Sequence, residues 1–254
     1  MTKFNTLLRA GYTLGVYLIL SQSASAQTDS LRAATVLNFV KSAINERSNP
    51  VFSIANPTSN FADVQFTYYG LDGNPVSSGL VNPVRYRVAP KGQISMRATD
   101  LFAAAKADGW VQVTSATAGL AGFYLSGDFA TTLEGSDSAP ALATQVVPVI
   151  RDDQANKTEL VIVNPGSSSG SVSISLYSAA GQPVSSYPSQ VIAAHAAIRL
   201  PSAALNISGA GVLSARINAS VARSIAMRPP ATATRRVTSL AATSTMCACP
   251  AVSK

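Results

Sequence analysis

Residues 54–78 read IANPTSNFADVQFTYYGLDGNPVSS, and residues 162–186 read IVNPGSSSGSVSISLYSAAGQPVSS. The segments align without a gap at a spacing of 108, and 11 of the 25 paired positions are identical. The matches include Asn56-Pro57 with Asn164-Pro165, Tyr69 with Tyr177, Gly73 with Gly181 and Pro75 with Pro183. A serine-rich composition gives scattered matches. It does not give Asn-Pro, Tyr and Gly-x-Pro-Val in one register. Solenoid repeats run at about 20–50 residues, so a unit this long reads as a whole domain copied in tandem.

Each copy carries strand chemistry. Val64, Phe66 and Tyr68 alternate with Gln65, Thr67 and Tyr69; Val172, Ile174 and Leu176 alternate with Ser173, Ser175 and Tyr177. Period two with branched and aromatic residues marks a half-buried strand. The apolar side chains change size between copies while the apolar face stays, as a core requires. Pro57 and Pro165 cannot continue a central strand, and Asn56 and Asn164 supply turn chemistry. Leu71–Asn74 and Ala179–Gln182 read as hairpin loops, with Gly73 and Gly181 at a positive-φ position. Later strands pair at 104, as with Ile94 and Ile198, so four residues differ in a loop between Ser78 and Val88. Residues 100–108 read as a short Ala-rich helix with Thr99 as N-cap and Gly109 beyond its end. Six or seven short strands per copy predict an all-β chain of two tandem antiparallel β-sandwich domains.

At Ile162-Val163-Asn164-Pro165, Ser171–Tyr177 and Gly181 the sequence resembles the immunoglobulin-like or fibronectin-like sandwich modules of secreted bacterial surface proteins. The resemblance spans residues 33–230 and implies a structural, spacing or adhesive role. The Cys-Trp-Cys hallmark of antibody-type domains is missing, so no site residues carry over.

The ends bound the compartment. Lys3 and Arg9, an apolar run from Ala10 to Leu20, and Ala24-Ser25-Ala26 follow the pattern of a secretory signal peptide. The run is shorter than the roughly 20 apolar residues of a spanning helix. The expected organisation is therefore a signal peptide over 1–26, a first sandwich over 27–139, a second over 140–230 and a low-order tail over 231–254. The mature chain is expected to be extracellular or periplasmic, without a transmembrane anchor.

Charge is asymmetric. Residues 27–150 hold eight basic and nine acidic side chains, while seven basic and no acidic residues follow from Leu160 onward. A one-sign surface attracts anionic partners, but only Arg235 and Arg236 are adjacent. Solvated charge is the simpler reading, with no specific nucleic-acid partner expected.

Catalytic chemistry finds little footing. His195 is the single histidine, with Lys91 at its place in the first copy; a catalytic histidine needs a nucleophile and an orienting partner. Asp152-Asp153 lack the spacing of a calcium loop. Cys247 and Cys249 leave three readings: an incidental tail, intermolecular pairing, or soft-metal capture with Met246. No catalytic, cofactor or metal residue is assigned. Tyr69 and Tyr177, opposite the inferred core, are the possible ligand face of a carbohydrate-binding module, with cell-surface polysaccharide or another envelope protein as partner. Trp110, placed near Val212, is expected in the core. The leading expectation is an exported, non-enzymatic structural or adhesive protein. The rivals are the sugar module and an anion-binding envelope protein.

Overall fold

The computed structural model describes residues 33–46, 48–127, 133–151, 158–207 and 212–228, the last eight by backbone only. The expected signal peptide, Asp152-Asp153, Cys247, Cys249 and the tail lie outside the described residues.

The first repeat consists of β1 (Thr35–Phe39), β2 (Val51–Ala55), β3 (Ala62–Tyr69), β4 (Val84–Val88), β5 (Gln93–Arg97), α1 (Ala98–Phe102), β6 (Trp110–Ser115), β7 (Ala121–Gly127) and β8 (Leu133–Asp137). Its strands form two antiparallel sheets, β1-β6-β3-β4 and β5-β2-β7-β8. One core is drawn from both, including Val64, Phe66, Tyr68 and Val113 from the first and Phe52, Ile54 and Tyr124 from the second. Aromatic edges mesh at its centre: the Tyr68 and Phe102 rings meet at 5.4 Å and 89°, the edge-to-face geometry such rings prefer.

The second repeat follows with β9 (Leu142–Ile150), β10 (Glu159–Val163), β11 (Gly170–Ser178), β12 (Pro183–Ile192), β13 (Ala197–Pro201), a 3-10 turn at Ser202–Leu205 and β14 (Leu213–Arg228). β14 does the work of both β6 and β7. Residues 213–219 pair with β11, and Ser224–Arg228 pair with β10. Neighbour relations therefore repeat: β9 beside β14 beside β11 beside β12, and β13 beside β10 beside β14. A separate core holds Val172, Ile174, Leu176, Ile162 and Leu200.

The two alternating segments lie on β3 and β11 with their apolar faces inward, as the period-two pattern requires. The Asn-Pro pairs do more than end a strand. The buried Asn56 amide donates to the carbonyls of Asn60 (2.7 Å), Ala89 (3.0 Å) and Val88 (3.2 Å), and its Oδ1 accepts from the Thr58 N–H (3.1 Å). Asn164 donates to Ser168 (2.8 Å), Ala193 (2.7 Å) and Ile192 (3.2 Å) and accepts from Gly166 (3.1 Å). One side chain thus satisfies the loop after a strand and the turn between two others, where buried carbonyls need a partner.

Gly73 and Gly181 have φ of 89° and 74°, in the left-handed region expected for the hairpin loops. The helix is shorter than expected. It ends at Ala103 rather than at residue 108, and its N-cap is Arg97 without a side-chain cap. Thr99 is instead held from outside: its N–H donates to Asn49 Oδ1 at 3.2 Å. Gly109 serves a different purpose from helix termination: a Cβ there would stand 1.9 Å from the Tyr69 carbonyl. Residues 135–137, among the last before the expected domain boundary, belong to β8, which pairs with β7.

Candidate functional site at the junction of the repeats

The described residues belong to one compact unit, and a third apolar cluster lies where the repeats meet. Val40 and Trp110 from the first pack with Val161, Val163 and Ala197 from the second, and Tyr69 and Leu71 close its edge. The local sequence explains why. β2 alternates, Val-Phe-Ser-Ile-Ala, with one face buried. β10 reads Glu-Leu-Val-Ile-Val, with its last four residues all buried. A continuous apolar run suits a strand covered on both faces. Leu160 and Ile162 face the core of the second repeat, and Val161 and Val163 face the first repeat.

Polar contacts fix the register of this apolar contact. The Trp110 indole N–H donates to the His195 carbonyl at 2.8 Å. The Gln112 amide donates to the Pro165 carbonyl at 3.1 Å, and the Ala197 N–H donates to the Leu71 carbonyl at 3.0 Å. Arg199 grips Asp108 with both terminal nitrogens. The Tyr69 ring stacks on Trp110 (5.1 Å, 22°) and on His195 (4.5 Å, 8°). Burial raises the Tyr69 hydroxyl pKa and lowers that of the His195 imidazole. His195 Nδ1 is buried without a hydrogen-bond partner among the described residues.

The expected ligand-face pair is therefore not equivalent. Tyr69 is committed to two rings inside the protein and is not free to stack on a sugar. Tyr177 occupies the same place in the second repeat, half-buried between Ser214 and Pro183 in register, and no ring stacks on it among the described residues. Trp110 is fully buried, but in the junction rather than in either core. Its register partner is Tyr69, as Tyr177 is that of Ser214, so its counterpart is Ser214 and not Val212. His195 and Lys91 both sit in turns, at φ of 54° and 56°; only His195 acquires neighbours from the other repeat. Of the basic residues from Leu160 onward whose side chains are described, Arg199 is paired with Asp108 and Arg216 is exposed.

No three His, Cys, Asp or Glu side chains gather into a metal-holding group among the described residues. No helix among them is long and apolar enough to cross a membrane. Leu71, Val161, Val163, Ala197 and Arg199 had no place among the candidate residues read from sequence. The signals were there: β10 fails to alternate, and the repeats diverge at aligned positions, Trp110 against Ser214 and Val161 against Ser53.

No curated protein and no solved structure matches the chain. A family model does match, across residues 28–246, and the chain accordingly belongs to that family, DUF5719, a family of unknown function.

Proposed function

We propose that the protein is an exported, non-enzymatic structural or adhesive module in which two immunoglobulin-like sandwiches are held as one rigid spacer. The observation that carries this reading is the junction, with its covered valines, its inter-repeat backbone hydrogen bond and the Tyr69 stack. A flexible tether has no use for such a contact, because inter-domain motion is the default unless the interface is apolar and well fitted. The sheet order supports an immunoglobulin-like relationship with one change. Taking β2, β3, β5 and β6 as strands B, C, E and F, the pairs B–E and C–F are kept. β1 stands beside F where strand G belongs, and β7 stands beside B where strand A belongs. The engagement of Tyr69 weighs against the two-tyrosine sugar face, and the Arg199–Asp108 pair removes one cation from the anion-binding reading.

The test has two parts. Cell fractionation locates the tagged chain; retention in the cytoplasm sinks the exported reading. Small-angle scattering then compares wild type with Trp110→Ala. A fixed spacer gives a sharp maximum dimension that blurs in the variant, while identical profiles contradict a junction that sets the shape.

A further inference from the structure

The junction joins two kinds of surface, and the repeat supplies each kind twice. One is an end: the Tyr69 hairpin loop with Trp110. The other is a face: the outer side of β10 and β13. The mates left over are the Tyr177 end of the second repeat and the outer side of β2, β5 and β7 in the first. We propose that these two unused surfaces meet between molecules, so that the protein assembles head to tail with further copies of itself.

Vacancy at the end is measurable. A Cβ on Gly73 would stand 2.2 Å from the Ala194 carbonyl, because the second repeat presses on that loop. A Cβ on Gly181, its counterpart, would have nothing within 4 Å. Beside that loop Val212 is 43% exposed, standing where the first repeat has Asp108. The unused face is mixed: Ser53, Gln93, Ser95 and Arg97 lie on β2 and β5 with Val51 and Ala55, and apolar side chains flank it on β7 and β8. Phe123 is 40% and Leu133 47% exposed, and the register sets Phe123 next to Ser53 and Leu125 next to Val51. The Phe123 ring lies over Gly135, its Cζ 2.7 Å from where a Cβ would be. The ring is thereby kept flat on the outer surface.

The charges differ from those of the junction. The pair Arg199–Asp108 corresponds to Ser95 on the unused face and Val212 on the unused end, so no ion pair forms there. Arg216, exposed on β14, stands at the place of Gln112, which makes the contact weaker at low salt and stronger at high salt. Lys91, at the place of His195, already donates to the Pro57 carbonyl. Smaller residues at the centre, Ser214 for Trp110 and Ser53 for Val161, make the contact between molecules weaker than the one inside. The assembly is therefore reversible and concentration-dependent. An end that meets a face is a heterologous contact, which propagates in one direction unless the rotation closes a ring.

This inference deepens the spacer role and rests on the two-repeat reading behind it. The test is sedimentation velocity of the exported chain over a concentration series, with Val212→Lys altering the end and Phe123→Lys altering the face. Both positions are exposed, and retention of the wild-type melting temperature verifies folding. Wild type is expected to give a ladder of species that grows with concentration. Each variant alone is expected to stay monomeric. An equal mixture is expected to give a one-to-one dimer and nothing larger, since one intact end then meets one intact face. A wild type that stays monomeric overturns the inference, as does a single variant that still dimerises or a mixture that does not. None of these results alters the scattering of the monomer, so the spacer reading stands or falls separately.

Discussion

The two repeats keep their cores and part company on their surfaces. Val64, Phe66 and Tyr68 match Val172, Ile174 and Leu176 as buried residues of any convenient size. Asn56 and Asn164 make the same bonds. The divergence is concentrated where the repeats meet: Trp110 against Ser214, Leu71 against Ala179, Val161 and Val163 against Ser53 and Ala55, Ala197 against Gln93. One end and one face are apolar and packed together, while their twins are more polar and open to solvent.

The comparison breaks most sharply at Trp110. Trp110→Ala removes a fully buried ring and is expected to cost about 3–5 kcal/mol, read by denaturant unfolding, with one coupled transition separating into two. Ser214→Ala, at the same place in the second repeat, is expected to stay within about 0.5 kcal/mol. Equal effects would mean that the junction adds nothing to the fold. The asparagines test the shared part instead. Asn56→Ala and Asn164→Ala each orphan buried carbonyls and are expected to cost about 3 kcal/mol, alike in both repeats. A large difference between them would break the structural equivalence.

Gly73 and Gly181 sharpen the contrast at smaller amplitude. Both need a positive φ, which costs alanine about 1 kcal/mol. Only Gly73→Ala also drives a methyl into the Ala194 carbonyl, adding about 1–3 kcal/mol of overpacking. Thermal melts of the two variants should therefore differ, with Gly181→Ala the milder. Asp108→Asn weakens a partly exposed pair and is expected to cost under about 1 kcal/mol, vanishing in high salt. The smallest effect is a pH slope. Burial lowers the folded pKa of His195 below its ordinary 6.5, so the unfolded chain takes the proton first. The contribution is fully present above the unfolded pKa and is lost as pH falls from there through the folded value. His195→Asn, tolerated at positive φ, is expected to flatten the fall in stability as pH drops below 6.5. An unchanged slope would assign it to the carboxylates.

Sequence pattern carried the strands because each repeat buries one face per sheet, and period two reports that directly. It carried the hairpin glycines because a positive φ has few other sources. It overran the helix at Ala103–Asp108, where alanine propensity yields to a left-handed Ala103 and a chain that returns to pair Ala107 with Ile44. It misplaced Trp110 because burial between repeats and burial within one look identical in a single strand. Tyr69 and Tyr177 were legible as equivalent positions, while their unequal surroundings depend on residues distant in sequence, Trp110 and His195. The one local signal of the junction was the unbroken Leu-Val-Ile-Val of β10, a strand with no polar face to turn toward water.

β14 has a mechanical consequence. Its 16 residues extend about 50 Å at 3.3 Å each, unbroken from the β9 and β11 ladders into the β10 ladder. In the first repeat the same path is interrupted by the turn at Ala116–Leu120, so β6 and β7 serve different sheets separately. Tension along β14 loads both sheets of the second repeat in shear together. Tension along β7 reaches only one sheet and lets the other wait its turn. Single-molecule pulling should therefore record two rupture peaks, the weaker from the first repeat; the reverse order would deny β14 this part. Under strain, the chain would give way first in its first repeat while the second held.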